Sequence, residues 1–152
     1  MLSIQISDIK DFMSHLLSKD TFDHFYFIEA SIKMGVSYQI QGRINEGFYD
    51  TSVEQTLNRE FCYWKEIRHR IFDIIKGKRL PLSCKIVLGL SKQSISYLIA
   101  HNNSSFREED IEGIYINILY DPKNLLITTG ISYKNFSLDK SLEYAFDEYL
   151  AK

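Results

Sequence analysis

The sequence predicts an α+β fold, a single antiparallel β-sheet of about five to six strands with two β-hairpins, covered by amphipathic helices. Three observations carry this reading. Residues 114–120 and 125–133 alternate apolar and polar side chains without a slip, with Asp121-Pro122-Lys123-Asn124 between them. Residues 26–32 and 36–44 alternate in the same way around Lys33-Met34-Gly35. Elsewhere the apolar residues recur at helical spacing.

In the later hairpin, Ile114, Ile116, Ile118 and Tyr120 share one face with Leu125, Ile127, Thr129 and Ile131, because a slip of one residue would turn a whole strand inside out. A four-residue loop then pairs Tyr120 with Leu125, Ile118 with Ile127 and Ile116 with Thr129. Pro122 fixes φ at the second turn position and Asn124 tolerates the left-handed region. Asn117, Thr128, Gly130, Ser132 and Lys134 fall on the opposite, wetter face, where Gly130 in mid-strand reads as a bulge.

In the earlier hairpin, Tyr26, Ile28, Ala30 and Ile32 face one way, with Val36, Tyr38, Ile40, Gly42 and Ile44 opposite. A three-residue loop would pair Ile32 with Val36 and give Gly35 a positive φ. Leu82, Cys84, Ile86, Leu88 and Leu90 mark a further strand, and residues 2–6 a short edge.

The helices follow from their stripes. Ser7 would cap one carrying Ile9, Phe12, Met13, Leu16 and Leu17. Ser52-Val53-Glu54-Gln55 reads as a capping box, and residues 63–76 form a longer helix with Trp64, Ile67, Ile71, Ile74 and Ile75 on one arc and Gly77 as its stop. Ser91 would cap a short helix through Ile95, Leu98 and Ile99, and Leu138, Leu142, Ala145, Phe146, Tyr149 and Leu150 mark a last one.

With 152 residues, 45% hydrophobic, two Pro and seven Gly, the chain reads as a single domain over 1–152 able to bury its own core. No apolar run approaches the ~20 residues that span a bilayer, so the expectation is a cytoplasmic protein with no membrane partner. Cys62 and Cys84 are then expected as thiols, Cys84 on the inward face of its strand.

The motifs of phosphate-binding loops, dinucleotide sites, zinc sites, nucleophile elbows and calcium loops are missing from the sequence, so neither cofactor nor metal is expected and catalysis is disfavoured. The histidines have ordinary settings: His15 lies four residues after Asp11 and His69 four before Asp73, while His24 precedes a strand and His101 opens a polar loop. Glu108, Glu109, Asp110 and Glu112 read as a solvated run without opposing ligands.

One charge feature stands out. Between residues 65 and 79, Lys65, Arg68, Arg70, Lys76, Lys78 and Arg79 outnumber Glu66 and Asp73, a local charge of +4 that leaves −6 on the remainder to make the net −2. Lys65, Arg68, His69, Lys76, Lys78 and Arg79 are therefore the candidate nucleic-acid contacts, read through phosphates rather than bases. The competing reading is a helix C-terminus whose dipole gathers cations, with Glu66 beside Arg70 and Arg68 lying over Phe72.

Several blocks resemble a known pattern: Asp8-Ile9-Lys10-Asp11-Phe12-Met13, Phe22-Asp23-His24-Phe25, Glu29-Ala30, Ile75-Lys76-Gly77-Lys78, Glu108-Glu109-Asp110-Ile111-Glu112-Gly113 and Thr128-Thr129-Gly130-Ile131-Ser132-Tyr133. Together they are similar to the recurring blocks of a small bacterial family catalogued only as a domain of unknown function. That resemblance implies a bacterial, cytoplasmic, stand-alone domain and carries no catalytic residues with it. The β-α-β-β element order is also similar to that of one domain of the sliding-clamp processivity factors, in which basic helices face DNA and sheets form the outer wall. A clamp-like reading would require the chain to be a homo-oligomer.

Three functions are thus in play. The leading one is a non-enzymatic binding or interaction domain with an unknown partner. The alternative is a clamp-like nucleic-acid-associated protein using the basic helix. A small-molecule enzyme with its site at Gly130 or in the loop of residues 101–106 comes last.

Overall fold

A computed structural model describes residues 3–45, 48, 60–77, 79–101 and 111–133. Among them, the elements run β1 (Ser3–Gln5), α1 (Ile9–Leu17), β2 (Tyr26–Lys33), β3 (Ser37–Gln41), α2 (Trp64–Ile75), β4 (Ser83–Gly89), α3 (Lys92–His101), β5 (Ile111–Tyr120) and β6 (Leu125–Tyr133). The strands form one antiparallel six-stranded sheet in the order β1-β6-β5-β4-β2-β3. The α+β class is the one the alternation and the helical stripes require. The expected capping box at residues 52–55, the loop of residues 102–106, the acidic residues 108–110 and the last helix lie outside the described residues.

The β5–β6 hairpin has the expected register, Tyr120 with Leu125, Ile118 with Ile127 and Ile116 with Thr129. Its turn is held by Asp121, whose Oδ1 accepts the backbone N–H groups of Lys123 and Asn124, both at 2.8 Å. Gly130 is not a bulge: it opposes Tyr115 in unbroken register. The extra residue sits further along, at Glu112, between the pairs Ile111–Tyr133 and Gly113–Ser132.

The β2–β3 hairpin departs from expectation twice. Its pairs are Ile32–Tyr38 and Lys33–Ser37, so the turn is Met34-Gly35-Val36, closed by Met34 N–H donating to Val36 O at 3.0 Å. The register is shifted by two residues from the expected one. Side chains alternate with period two, so such a shift preserves every face and the pattern could not detect it. Gly35 does not take a positive φ; among the described glycines Gly77, just beyond α2, does.

The second departure is a bulge at Ile28, where β2 runs past β4 with an extra residue between Phe27 and Glu29. Phe27, Ala30 and Ile32 therefore point into the core, and Ile28 turns to the other face. There its Cδ1 lies 3.1 Å from where a Cβ on Gly89 would be.

The inner face carries the core. Phe27, Ile32, Ile86, Leu88, Ile114, Ile116, Ile118 and Leu125 are sealed against Leu16, Trp64 and Ile71 of the helices. Burial of such aliphatic and aromatic side chains stabilises by about 1.5–3 kcal/mol each. Leu82, expected on this face, precedes β4 and is 69% exposed.

α1 starts one residue later than the Ser7 cap implies. Asp8 is the cap, accepting Asp11 N–H at 3.0 Å. α2 begins with Tyr63 N–H donating to Glu66 Oε2 at 2.6 Å, and Trp64 Nε1–H donates to Leu16 O at 2.7 Å, pinning α2 to the end of α1. α3 is capped by Ser91, as expected, with Ser94 N–H donating to its Oγ at 3.3 Å. Ile95 and Leu98 then enter the core.

Candidate functional site

Three regions among the described residues could meet a partner: the exposed side of α2, an aromatic cleft at one end of the sheet, and the outer edge of β3.

On α2 the six sequence candidates part company. Trp64, Ile67, Ile71, Ile74 and Ile75 turn toward the core. Arg68 stands four residues after Trp64 and three before Ile71, so it shares their face rather than the solvent face. Its Nε lies 3.4 Å from Asp23 Oδ1, both side chains are nearly buried at 12% and 11% exposure, and Nη1 donates to Lys19 O. It does not lie over Phe72, as the sequence suggested. Lys76 does, with Nζ 5.9 Å from the ring centroid and 3.0 Å from Asp73 Oδ1. Asp73 is thus engaged by Lys76. Lys65, His69, Arg70, Lys76 and Arg79 are exposed, and Lys78 lies outside the described residues.

Arg68 is therefore a structural cation. With Asp23 it bolts the segment leading into β2 onto α2, and each leaves a polar atom with no hydrogen-bond partner beyond the pair itself. The sequence held the signal, since residues 64, 68 and 71 lie on one helical stripe.

The cleft follows from the two bulges. Tyr26 and Tyr115 flank Gly89 on the outer face, and Phe61 and Tyr63 stand beside Tyr26 with ring centroids at 6.1 and 5.3 Å. Gly113 leaves room for the Tyr115 ring, since a Cβ there would sit 2.2 Å from the Tyr115 hydroxyl and oblige that side chain to shift. Burial raises that hydroxyl's pKa above its ordinary value, and the Glu112 and Glu60 carboxylates raise it further. Ser132 Oγ donates to Glu112 Oε2 at 2.9 Å, and Arg43 pairs with Glu60 while stacking on Phe61 at 5.2 Å. The cleft encloses only about 70 Å³, and a cation of the chain itself already occupies its rim.

Cys84 is poorly suited to act as a nucleophile: burial pushes its thiol up to about 12, leaving almost no thiolate near neutrality. Among the described residues both cysteines are free thiols and no three His, Cys, Asp or Glu side chains could hold a metal ion. Gly130, one of the two places where the sequence would put an enzyme's site, has open space where a Cβ would be.

The edge strand is the region sequence reading passed over. β3 hydrogen-bonds to β2 alone among the described residues. Gly42 N–H donates to Ile28 O at 2.8 Å and Met34 N–H to Val36 O at 3.0 Å, and between them lie the pairs Ala30–Ile40 and Ile32–Tyr38. Alternate pairs of an antiparallel ladder exchange both bonds. Tyr38 and Ile40 thus spend their peptide groups on β2, and Ser37, Gln39 and Gln41 turn theirs outward. Residues 36–42 carry no charge in a chain that is 25% charged. Edge strands are ordinarily blunted by Lys, Pro, a bulge or brevity. β1, at the other edge, is three residues long. β3 is longer and straight in register, and no strand among the described residues pairs with its outer side, where Val36 is 63% and Tyr38 38% exposed.

The family of unknown function DUF5721 matches residues 15–152. The chain belongs to that family. No curated protein and no solved structure matches this chain. No helix among the described residues is long and apolar enough to cross a membrane.

Proposed function

We propose that this DUF5721 chain is a single-domain, non-catalytic interaction protein of the bacterial cytoplasm, and that it works by accepting an extended strand along β3. The observation that carries the reading is the uncharged edge whose outward peptide groups belong to Ser37, Gln39 and Gln41. A strand laid there gains main-chain hydrogen bonds for affinity, and alternate side-chain positions provide specificity.

The test is a random-peptide display selection on the folded chain, counter-selected on Gln39→Pro. Proline at 39 removes an outward N–H without touching a bond to β2. Support would be peptides that bind the parent, ignore the proline variant and slow amide exchange at Ser37, Gln39 and Gln41. A selection in which every binder tolerates Gln39→Pro would sink the reading.

A second reading has its own observation, the exposure of Lys65, His69, Arg70, Lys76 and Arg79 on the side of α2 away from Trp64 and Ile71. They would track a phosphate backbone, with Lys78 adding to them and Arg68 not. In its clamp-like form, copies would join through sheet edges with their helices toward the duplex. Lys65→Glu/Lys76→Glu/Lys78→Glu should then abolish retardation of mixed-sequence DNA at low salt and leave the melting curve nearly unchanged. The wild-type log-log salt slope should approach about −0.9 per phosphate neutralised. No retardation by wild type at ~50 mM salt ends this alternative.

A further inference from the structure

We infer that the strand accepted by β3 is β3 of a second copy, joined about a two-fold axis at Gln39 to make one continuous sheet of two chains. The inference rests on the strand-accepting edge and names its occupant.

A strand can pair with its own copy only where residues with outward peptide groups meet one another and no like charges coincide. β3 meets both conditions. With the axis at Gln39, Gln39 faces Gln39 of the second copy and Ser37 faces its Gln41, so each outward peptide group meets another outward one. Tyr38 then stands against Ile40 on the helix side, an aromatic-on-β-branched pair at the closely spaced positions of the ladder. On the outer side the pairs are amide on amide and hydroxyl on amide.

The flanks agree. Val36 would face Gly42, Arg43 would lie opposite the Met34-Gly35-Val36 turn, and Lys33, paired with Ser37 on β2, sits one strand behind the seam, so neither nearby cation meets a like charge across it. A charged residue at the two-fold position would oppose itself, and that position is Gln39. The association would also cover Tyr38 and Val36, two of the large apolar side chains the isolated chain leaves exposed. The contact is isologous and therefore closes at two copies instead of propagating.

The register makes a sharp cross-linking test, run in a Cys62→Ser background with Cys84 left buried. Directly opposed Cα atoms in a hydrogen-bonded pair lie about 5.5 Å apart, within the roughly 4.4–6.8 Å that a disulfide spans. Gln39→Cys should therefore give a disulfide-linked dimer under mild oxidation. Ser37→Cys should not, because four residues of strand separate the two copies of position 37 by about 14 Å. Ser37→Cys/Gln41→Cys should cross-link again, through two bridges. By sedimentation equilibrium the parent should double in mass with concentration, whereas Gln39→Lys, which sets two cations face to face, should remain monomeric with an unchanged melting curve.

A parent that stays monomeric at millimolar concentration, or a Ser37→Cys variant that cross-links as well as Gln39→Cys, overturns the dimer. Peptides that still depend on Gln39 in the display selection would then preserve the strand-accepting edge and assign it a different occupant.

Discussion

At the β5–β6 turn one carboxylate, Asp121, takes two backbone N–H groups at 2.8 Å, whereas the Met34-Gly35-Val36 turn is closed by a single backbone bond. The strands differ in the same sense. β5 is paired on both sides, by β4 and β6, and β6 by β5 and β1, whereas among the described residues β3 has a neighbour on one side only. Ile116 and Ile118 are sealed from solvent, while Ile40 is half-buried. Two hairpins with equally clean alternation thus carry very different constraint. Alternation decides which face a side chain takes. Turn chemistry and neighbouring strands decide which residue it meets.

Substituting the same residue into each hairpin is the strongest way to break this comparison. Ile118→Asp places a charge where no partner or water is within reach, at a cost of several kcal/mol, a large share of ordinary domain stability. The variant should lose its cooperative thermal transition. Ile40→Asp can turn its carboxylate to solvent at the edge and should melt lower but still cooperatively. Equal loss in both would mean that β3 is as enclosed as β5.

Next in size is the bolt beneath β2. Arg68→Ala leaves Asp23 as an unpaired, nearly buried carboxylate, and loss of one partner of such a pair costs about 3–5 kcal/mol. Arg68→Met/Asp23→Leu, which removes both charges, should recover most of that in denaturant titrations. If Arg68→Ala is instead neutral to stability, the side chain is free to serve as a surface cation after all.

The thiols extend the comparison to pH. Cys84 lies on β4, paired on both sides, and its pKa is held at about 12 against an ordinary 9.0 by burial. The folded chain therefore binds this proton more tightly than the unfolded chain, so the contribution is intact below pH 9 and is lost as pH rises toward 12. Cys84→Ala should flatten the alkaline fall of the melting temperature. Cys62, half-buried, should be alkylated in the native state well before Cys84.

The smallest effects come from the turns themselves. Asp121→Ala removes two turn hydrogen bonds and should cost about 1–2 kcal/mol. Gly35→Ala meets nothing within 4 Å and no positive φ, so it should be neutral or stabilising by about 0.4–1 kcal/mol. Reversal of that order would mean that turn chemistry does not set the register.

Much of the fold was legible from residues alone. The β5–β6 register, the α2 stripe and the α3 cap followed from period, turn and cap chemistry. The bulges at Ile28 and Glu112 did not, because an extra residue is defined by the strand alongside it, and β4 lies more than fifty residues from β2. The two-residue shift at Met34 was invisible because it preserves every face. On α2, counting charges grouped Arg68 with its neighbours, although its spacing from Trp64 and Ile71 assigned it to the interior. The β3 edge was present as a run of seven uncharged residues, but a strand becomes an edge only once the sheet order is known.

That sheet order also sets a timetable. β1 leaves the ribosome first, yet its partner is β6, and Ser3 pairs with Thr128 across 125 residues of chain. At translation rates of about 5–20 residues per second, the first strand waits on the order of 6–25 s for the last one to be synthesised. During that interval β2 and β3 can close on each other, but the centre of the sheet cannot assemble until β4 and β5 follow. The nascent chain therefore shows the cell an open, uncharged β3 edge long before the sheet behind it is complete. If β3 accepts a second copy as proposed, early pairing of two nascent chains would compete with folding on the ribosome.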